Sequence, residues 1–323
     1  MALGTEAEAE THPYKSGGLC PSLLEGKMTV MRQYAFGFFL LALAFLLCNG
    51  LCNGAKGDTL ELPRATGDAV PGSRYIITTT QQADGKLVEE QLEHLSSALD
   101  LLFADFMKDA EIEPQKHRHR VILYRDKNHY VASLIRMEPA IDRTNGFYHA
   151  PGKTAHFFST EPKILFHEGT HQILAERFFY EKQPTFRNNF WAVEGIALLM
   201  ETLKIEDERY KVGDILANRL YSAKVYRFEW NHHLPIRRLA AMSAAEIQSS
   251  SSADLQRIYS QSAALVHWLM FAEEGRYRGA LFELLRQTYR DETTPETLSE
   301  LTGLSYEELD TKYAEFLKTI PDD

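Results

Sequence analysis

Cysteine is almost missing from this chain: Cys20, Cys48 and Cys52 are the only three, and none follows residue 52. A disulfide scaffold, a Cys-ligated metal and a cysteine nucleophile are therefore excluded from everything downstream. Positive charge is also in deficit, 35 Lys+Arg against 45 Asp+Glu for a formal charge of −10. No basic stripe is long enough to follow a phosphate backbone, which argues against nucleic acid as a partner. The chain also lacks a glycine-rich phosphate loop, a glycosylation sequon and any internal repeat. What remains is ordinary, 44% hydrophobic and 25% charged over 323 residues, so neither a disordered nor a collagen-like polymer fits.

Long apolar runs are scarce as well. The longest is Tyr34 to Leu47, fourteen uncharged residues followed by the small and polar Cys48-Asn-Gly-Leu-Cys-Asn-Gly-Ala55. A membrane span needs roughly 20 apolar residues, whereas the core of a signal peptide needs about 7 to 15. Residues 1–55 accordingly read as a signal peptide, with an uncleaved membrane anchor as the alternative, and the mature protein is expected outside the cytoplasm, periplasmic or extracellular. Glu6, Glu8 and Glu10 make the preceding stretch too acidic for a signal's start, while Met28 or Met31 would each open a short positive one. Leu precedes both Cys48 and Cys52, where a lipoprotein signal wants a small residue, so lipidation is disfavoured.

In the mature chain, residues 56–72 have the Gly, Pro and Asp content of a flexible lead-in, and 73–323 read as one domain. Its first part, 73–160, mixes strands with helices. Tyr75 to Thr80 is β-branched, and Leu87, Leu92, Leu95, Leu99, Leu102, Phe103 and Phe106 then recur at helical spacing. Arg120–Arg125 forms a second strand and Asp126 caps a short helix, after which Gly146–His149 and Thr154–Ser159 make a hairpin around Pro151-Gly152. Residues 161–323 read as helices, with loops through Pro184 and at Ser249–Ser252. The expected class is α+β, a small mixed sheet in the N-terminal half and a mainly helical C-terminal half.

The chemistry concentrates in Phe166-His-Glu-Gly-Thr-His-Gln172. His167 and His171 stand four apart, an offset of only about 40° on a helix, so both imidazoles can reach one ion from one face. Glu168 points about 100° away and can meet a water on that ion from the side, the His-Glu-x-x-His arrangement of a zinc site with its general base. Chance placement of 12 His and the chain's glutamates would give this pattern only about 0.04 times per chain. The surrounding Ile164, Leu165, Phe166, Ile173, Leu174 and Phe178 make a strongly apolar helix, in which two histidines and a glutamate need a partner. Zinc of this kind takes a third protein ligand and leaves one position open. In Trp191-Ala-Val-Glu-Gly-Ile-Ala-Leu-Leu-Met-Glu201, Glu194 lies among apolar residues, with Gly195 and Ala197 allowing close approach of another backbone. Glu201 shares its face and is either the alternative ligand or the acceptor for a ligand histidine.

These motifs resemble the gluzincins, zinc metallopeptidases with two His from His-Glu-x-x-His and a Glu from the following helix. More narrowly, the chain is similar to the thermolysin-related peptidase MA-like group of exported bacterial proteins. The match runs through His167–Gln172, Trp191–Ala197, Tyr259–Val266 and Gly303–Leu309, within about residues 73–320. No Gly-x-Met-Glu-Asn motif precedes the zinc helix, so the aminopeptidase branch lacks support. The resemblance implies a zincin-like fold, Zn2+ held by His167, His171 and Glu194, Glu168 as general base, and peptide or protein substrates. It further implies an oxyanion-stabilising Tyr or His, for which Tyr259 at the start of its helix is the first choice against a packing role. An edge strand bearing Tyr148, His149 and His156 would pair with substrate, although ordinary strand roles fit each of these residues. His232-His233 and His117-Arg-His-Arg120 have no second metal spacing and read as solvated surface, and Trp191 as packing.

The leading functional expectation is thus an exported zinc endopeptidase. A non-catalytic, zinc-stabilised binding module at the cell envelope is the alternative, and a zinc hydrolase acting on another bond is a third. Intact Glu168 favours chemistry, because a purely structural site has no use for it. Export makes its own prediction: mass spectrometry of the mature protein should place its amino terminus near residues 51–56. A terminus at Met1 or Met31 on membrane-embedded protein would instead establish an anchor.

Overall fold

Strand β1, Leu60–Pro63, opens the part of the chain that the computed structural model describes, residues 59–63, 73–110, 112, 117–178, 184–207 and 209–322. The signal-peptide reading of residues 1–55 lies outside the described residues. Within the expected flexible lead-in, 56–72, only residues 59–63 are described, and there the expectation is corrected: Leu60 and Leu62 turn inward and Glu61 and Pro63 outward in a paired strand. Next come β2, Tyr75–Thr79, and the 28-residue helix α1, Gln82–Asp109. Most of the anticipated apolar stripe is the buried face of α1, with Leu92, Leu95, Leu99 and Phe103 fully buried; at its start Leu87 is exposed and the next residue, Val88, turns inward instead. β3, His119–Leu123, runs parallel to β2 with His119 opposite Tyr75. Such a pairing needs a long crossover, which α1 supplies. Asp126 caps α2, Lys127–Leu134, by accepting the His129 N–H at 2.8 Å.

β4, Gly146–His149, and β5, Thr154–Phe157, form the expected hairpin. Strand order is β2-β3-β5-β4, so β5 is internal, with all four residues buried, and the antiparallel β4 is an edge. Two helices then carry the centre of the molecule, α3, Pro162–Phe178, and α4, Phe190–Met200. All eleven residues of α4 are buried. The expectation that helix is the only regular structure beyond residue 161 fails at one place. β6, Lys204–Ile205, and β7, Arg209–Val212, follow α4 and join β1 in an antiparallel sheet ordered β1-β7-β6. Tyr210 and Val212 are buried while Arg209 is exposed, a period of two in a run too short to stand out locally, and the partner strand lies far back in the chain. The remainder is helical: α5 Asn218–Phe228, α6 Ile236–Ala240, α7 Ala244–Gln248, α8 Ser252–Gly275, α9 Arg278–Thr288, α10 Thr297–Thr302 and α11 Tyr306–Thr319. The class is α+β with small sheets, and no helix among the described residues is long and apolar enough to cross a membrane.

α4 lies against both α3 and α8. Gly195 permits the second contact: a Cβ there would stand 2.5 Å from Val266 Cγ2 and 2.8 Å from the Ser262 carbonyl oxygen. The latter is backbone and has little room to yield, so Gly195→Ala should cost about 1–3 kcal/mol through overpacking. A lower melting temperature for that variant is the expected result; an unchanged one would show that α4 and α8 can separate freely.

Candidate metal centre

α3 presents His167 and His171 one turn apart, with their Nε2 atoms 3.2 Å from each other. From α4, Glu194 reaches both, Oε2 at 3.5 Å from His167 Nε2 and Oε1 at 3.8 Å from His171 Nε2. One ligand atom from each of the three residues lies within 4.8 Å of the others, a group that could hold a metal ion. The side chains also fit one chemically. Glu194 Oε2 is buried and lacks a hydrogen-bond partner, a costly state for a carboxylate oxygen that a cation would relieve. Two imidazoles and one carboxylate leave a further coordination position, as catalytic rather than closed structural sites do.

Electrostatics sharpen the picture. Burial disfavours a charged His167, but the neighbouring carboxylates of Glu194 and Glu201 outweigh it and carry its pKa up to about 10. For His171 burial dominates and pushes the pKa down to about 4. Burial also pushes the Glu194 carboxyl up, and the two histidines more than offset it, holding it below its usual range. Without metal, then, a His167 proton compensates Glu194; a bound metal ion would take over that charge, since ligand imidazoles must be neutral. Glu201 Oε1 sits 2.8 Å from His167 Nδ1. Of the two roles open to Glu201, the structure favours the acceptor, since it orients the His167 ring rather than joining the three grouped residues. Gln172 anchors α3 to the sheet, its Nε2 donating to the Arg120 carbonyl and to Glu176 Oε1, both at 3.0 Å.

Glu168 stays out of the ligand group. Its Oε2 accepts the backbone N–H of Tyr148 on the β4 edge at 3.1 Å. Gly146 makes this approach feasible, because a Cβ there would come within 2.8 Å of Glu168 Cγ. Burial, reinforced by Glu194 and Glu201 against His167, raises the Glu168 pKa to about 7, the range suited to general-base work. Neither Gly146 nor the Tyr148 amide was identifiable beforehand, since a backbone donor leaves no side-chain motif.

Tyr259 is inside α8, two turns from its start, which corrects the expected helix-start position. Its hydroxyl pKa is raised first by burial and then by the neighbouring Glu194 carboxylate, so it remains a neutral donor beside the ligand group. Trp191 is fully buried, donating to Asn189 Oδ1 at 3.2 Å, as its packing role requires. Among the strand candidates, His156 is buried against Tyr124, whose hydroxyl is 3.1 Å from its Nδ1, so its role is structural. Two histidines expected on a solvated surface are not there: His119 is buried with Nδ1 3.1 Å from Glu176, and His233 pairs with Asp310 at 3.0 Å.

No family model matches the chain, and no curated protein matches its sequence significantly. The metal assignment therefore stands on the geometry. Metal analysis should find one divalent ion per chain, and Glu194→Ala should lower both metal content and melting temperature because the ion would link α3 to α4. Undiminished metal content in that variant would refute the ligand set.

Proposed function

We propose that this chain is an exported, zinc-dependent peptidase of zincin-like architecture, acting on peptide or protein substrates. The observation that carries the reading is the position of Glu168: adjacent to His167, outside the ligand group, and tied to the amide of an edge strand. Zinc, when bound, would supply Lewis-acid polarisation of a carbonyl and lower the pKa of water. Glu168 accepts the proton of the attacking water and returns it to the departing amine. Tyr259 donates to the oxygen on which negative charge develops. Glu201 keeps the His167 ring turned toward the ligand group. Opposite β5, the outer edge of β4, apart from the Tyr148 N–H that Glu168 holds, would receive an extended peptide. A metal-stabilised binding module would need the three ligands but not Glu168.

Glu168→Gln separates the two readings. It preserves shape and removes the base, so metal content should persist while hydrolysis of a cleaved peptide falls about 100-fold or more. Wild-type rates in the variant would contradict the role given to Glu168. Failure of zinc-loaded wild-type protein to cleave any member of a broad peptide library would leave the binding module as the better reading.

A further inference from the structure

Arg219 is the second residue of α5, the helix that packs along α8. Its guanidinium carbon stands 5.9 Å from the centre of the Tyr259 ring. Tyr259 in turn lies near enough to Glu194 and Glu168 to feel their charges, so this cation is one aromatic ring away from the candidate site. Among the described residues Arg219 makes no hydrogen bond and no ion pair. The nearby acids do not engage it: Glu194 and Glu201 pair with histidines, and Glu168 accepts the Tyr148 amide. The side chain is only partly buried. Beside a tyrosine ring and with its donors unclaimed, a guanidinium is suited to receive a planar carboxylate.

We propose that Arg219 sets substrate specificity by binding a peptide carboxylate close to the cleaved bond. The inference rests on the peptidase reading for its biological meaning. Two sources share this chemistry, an Asp or Glu side chain and a free carboxyl terminus. A neutral amide in the same place would gain less from Arg219 than a carboxylate, and a basic group would be repelled.

The test reads binding without turnover. Zinc-loaded Glu168→Gln protein is titrated against amino-terminally labelled hexapeptides by fluorescence anisotropy, comparing Glu with Gln at each position and free with amidated carboxyl termini. With Arg219 present, one carboxylate-bearing set should bind at least about tenfold tighter than its amide counterpart, the scale of a charge-assisted hydrogen bond. Which set shows the preference identifies the source. Adding Arg219→Gln should bring the ratio close to one, and Arg219→Lys should restore part of it. Equal affinities with Arg219 present, absence of binding, a ratio that survives Arg219→Gln, or a uniform loss for acids and amides alike would each overturn the proposal. Cleavage by protein with intact Glu168 is scored separately, so failure of the peptidase reading is distinguishable from failure of carboxylate recognition.

Discussion

One buried carboxylate governs this architecture. Glu194 sits on a helix whose every residue is buried, and placing an ion there without compensation would cost several kcal/mol. Compensation comes from His167 and His171 on the neighbouring helix, which are themselves poorly solvated. Neither helix can bury its polar face alone. The contact of α3 with α4 is therefore simultaneously the core of the fold and the source of the ligand group.

The rest of the molecule holds that contact in register. Gly195 brings α4 against α8 and so sets Tyr259 beside Glu194. On the other side, Gln172 ties α3 to β3 and Gly146 lets β4 approach Glu168. Glu201 completes the arrangement one step outside the ligands, holding His167 through its remaining ring nitrogen. Apolar packing thus fixes the helices, and a few directed hydrogen bonds fix the rotation of the rings within them.

Much of this was legible in the sequence because it follows local periodicity. The four-residue spacing of His167 and His171, the apolar setting of Glu194 and the small Gly195 each carry their meaning within a turn or two of helix. The apolar stripe of α1 and the Asp126 cap were equally local. What escaped depends on distant partners. β7 is a four-residue strand whose pairing partner β1 lies in the segment expected to be a flexible lead-in. His119 and His233 looked like surface residues because Glu176 and Asp310, their partners, come from remote elements. The Tyr148 amide could not be read at all, since every non-proline residue has one.

The central claim, that α3 and α4 meet to form one ligand set, is tested most directly by zinc K-edge X-ray absorption on the loaded protein. Two imidazole nitrogens at about 2.0–2.1 Å, one carboxylate oxygen at about 2.0–2.2 Å and one further light atom are the expected first shell. The same spectrum should lose one imidazole in His171→Ala and the carboxylate in Glu194→Gln. A first shell lacking the imidazole pair, or one that both substitutions leave unchanged, would show that the metal binds elsewhere and that the contact between the two helices serves packing alone.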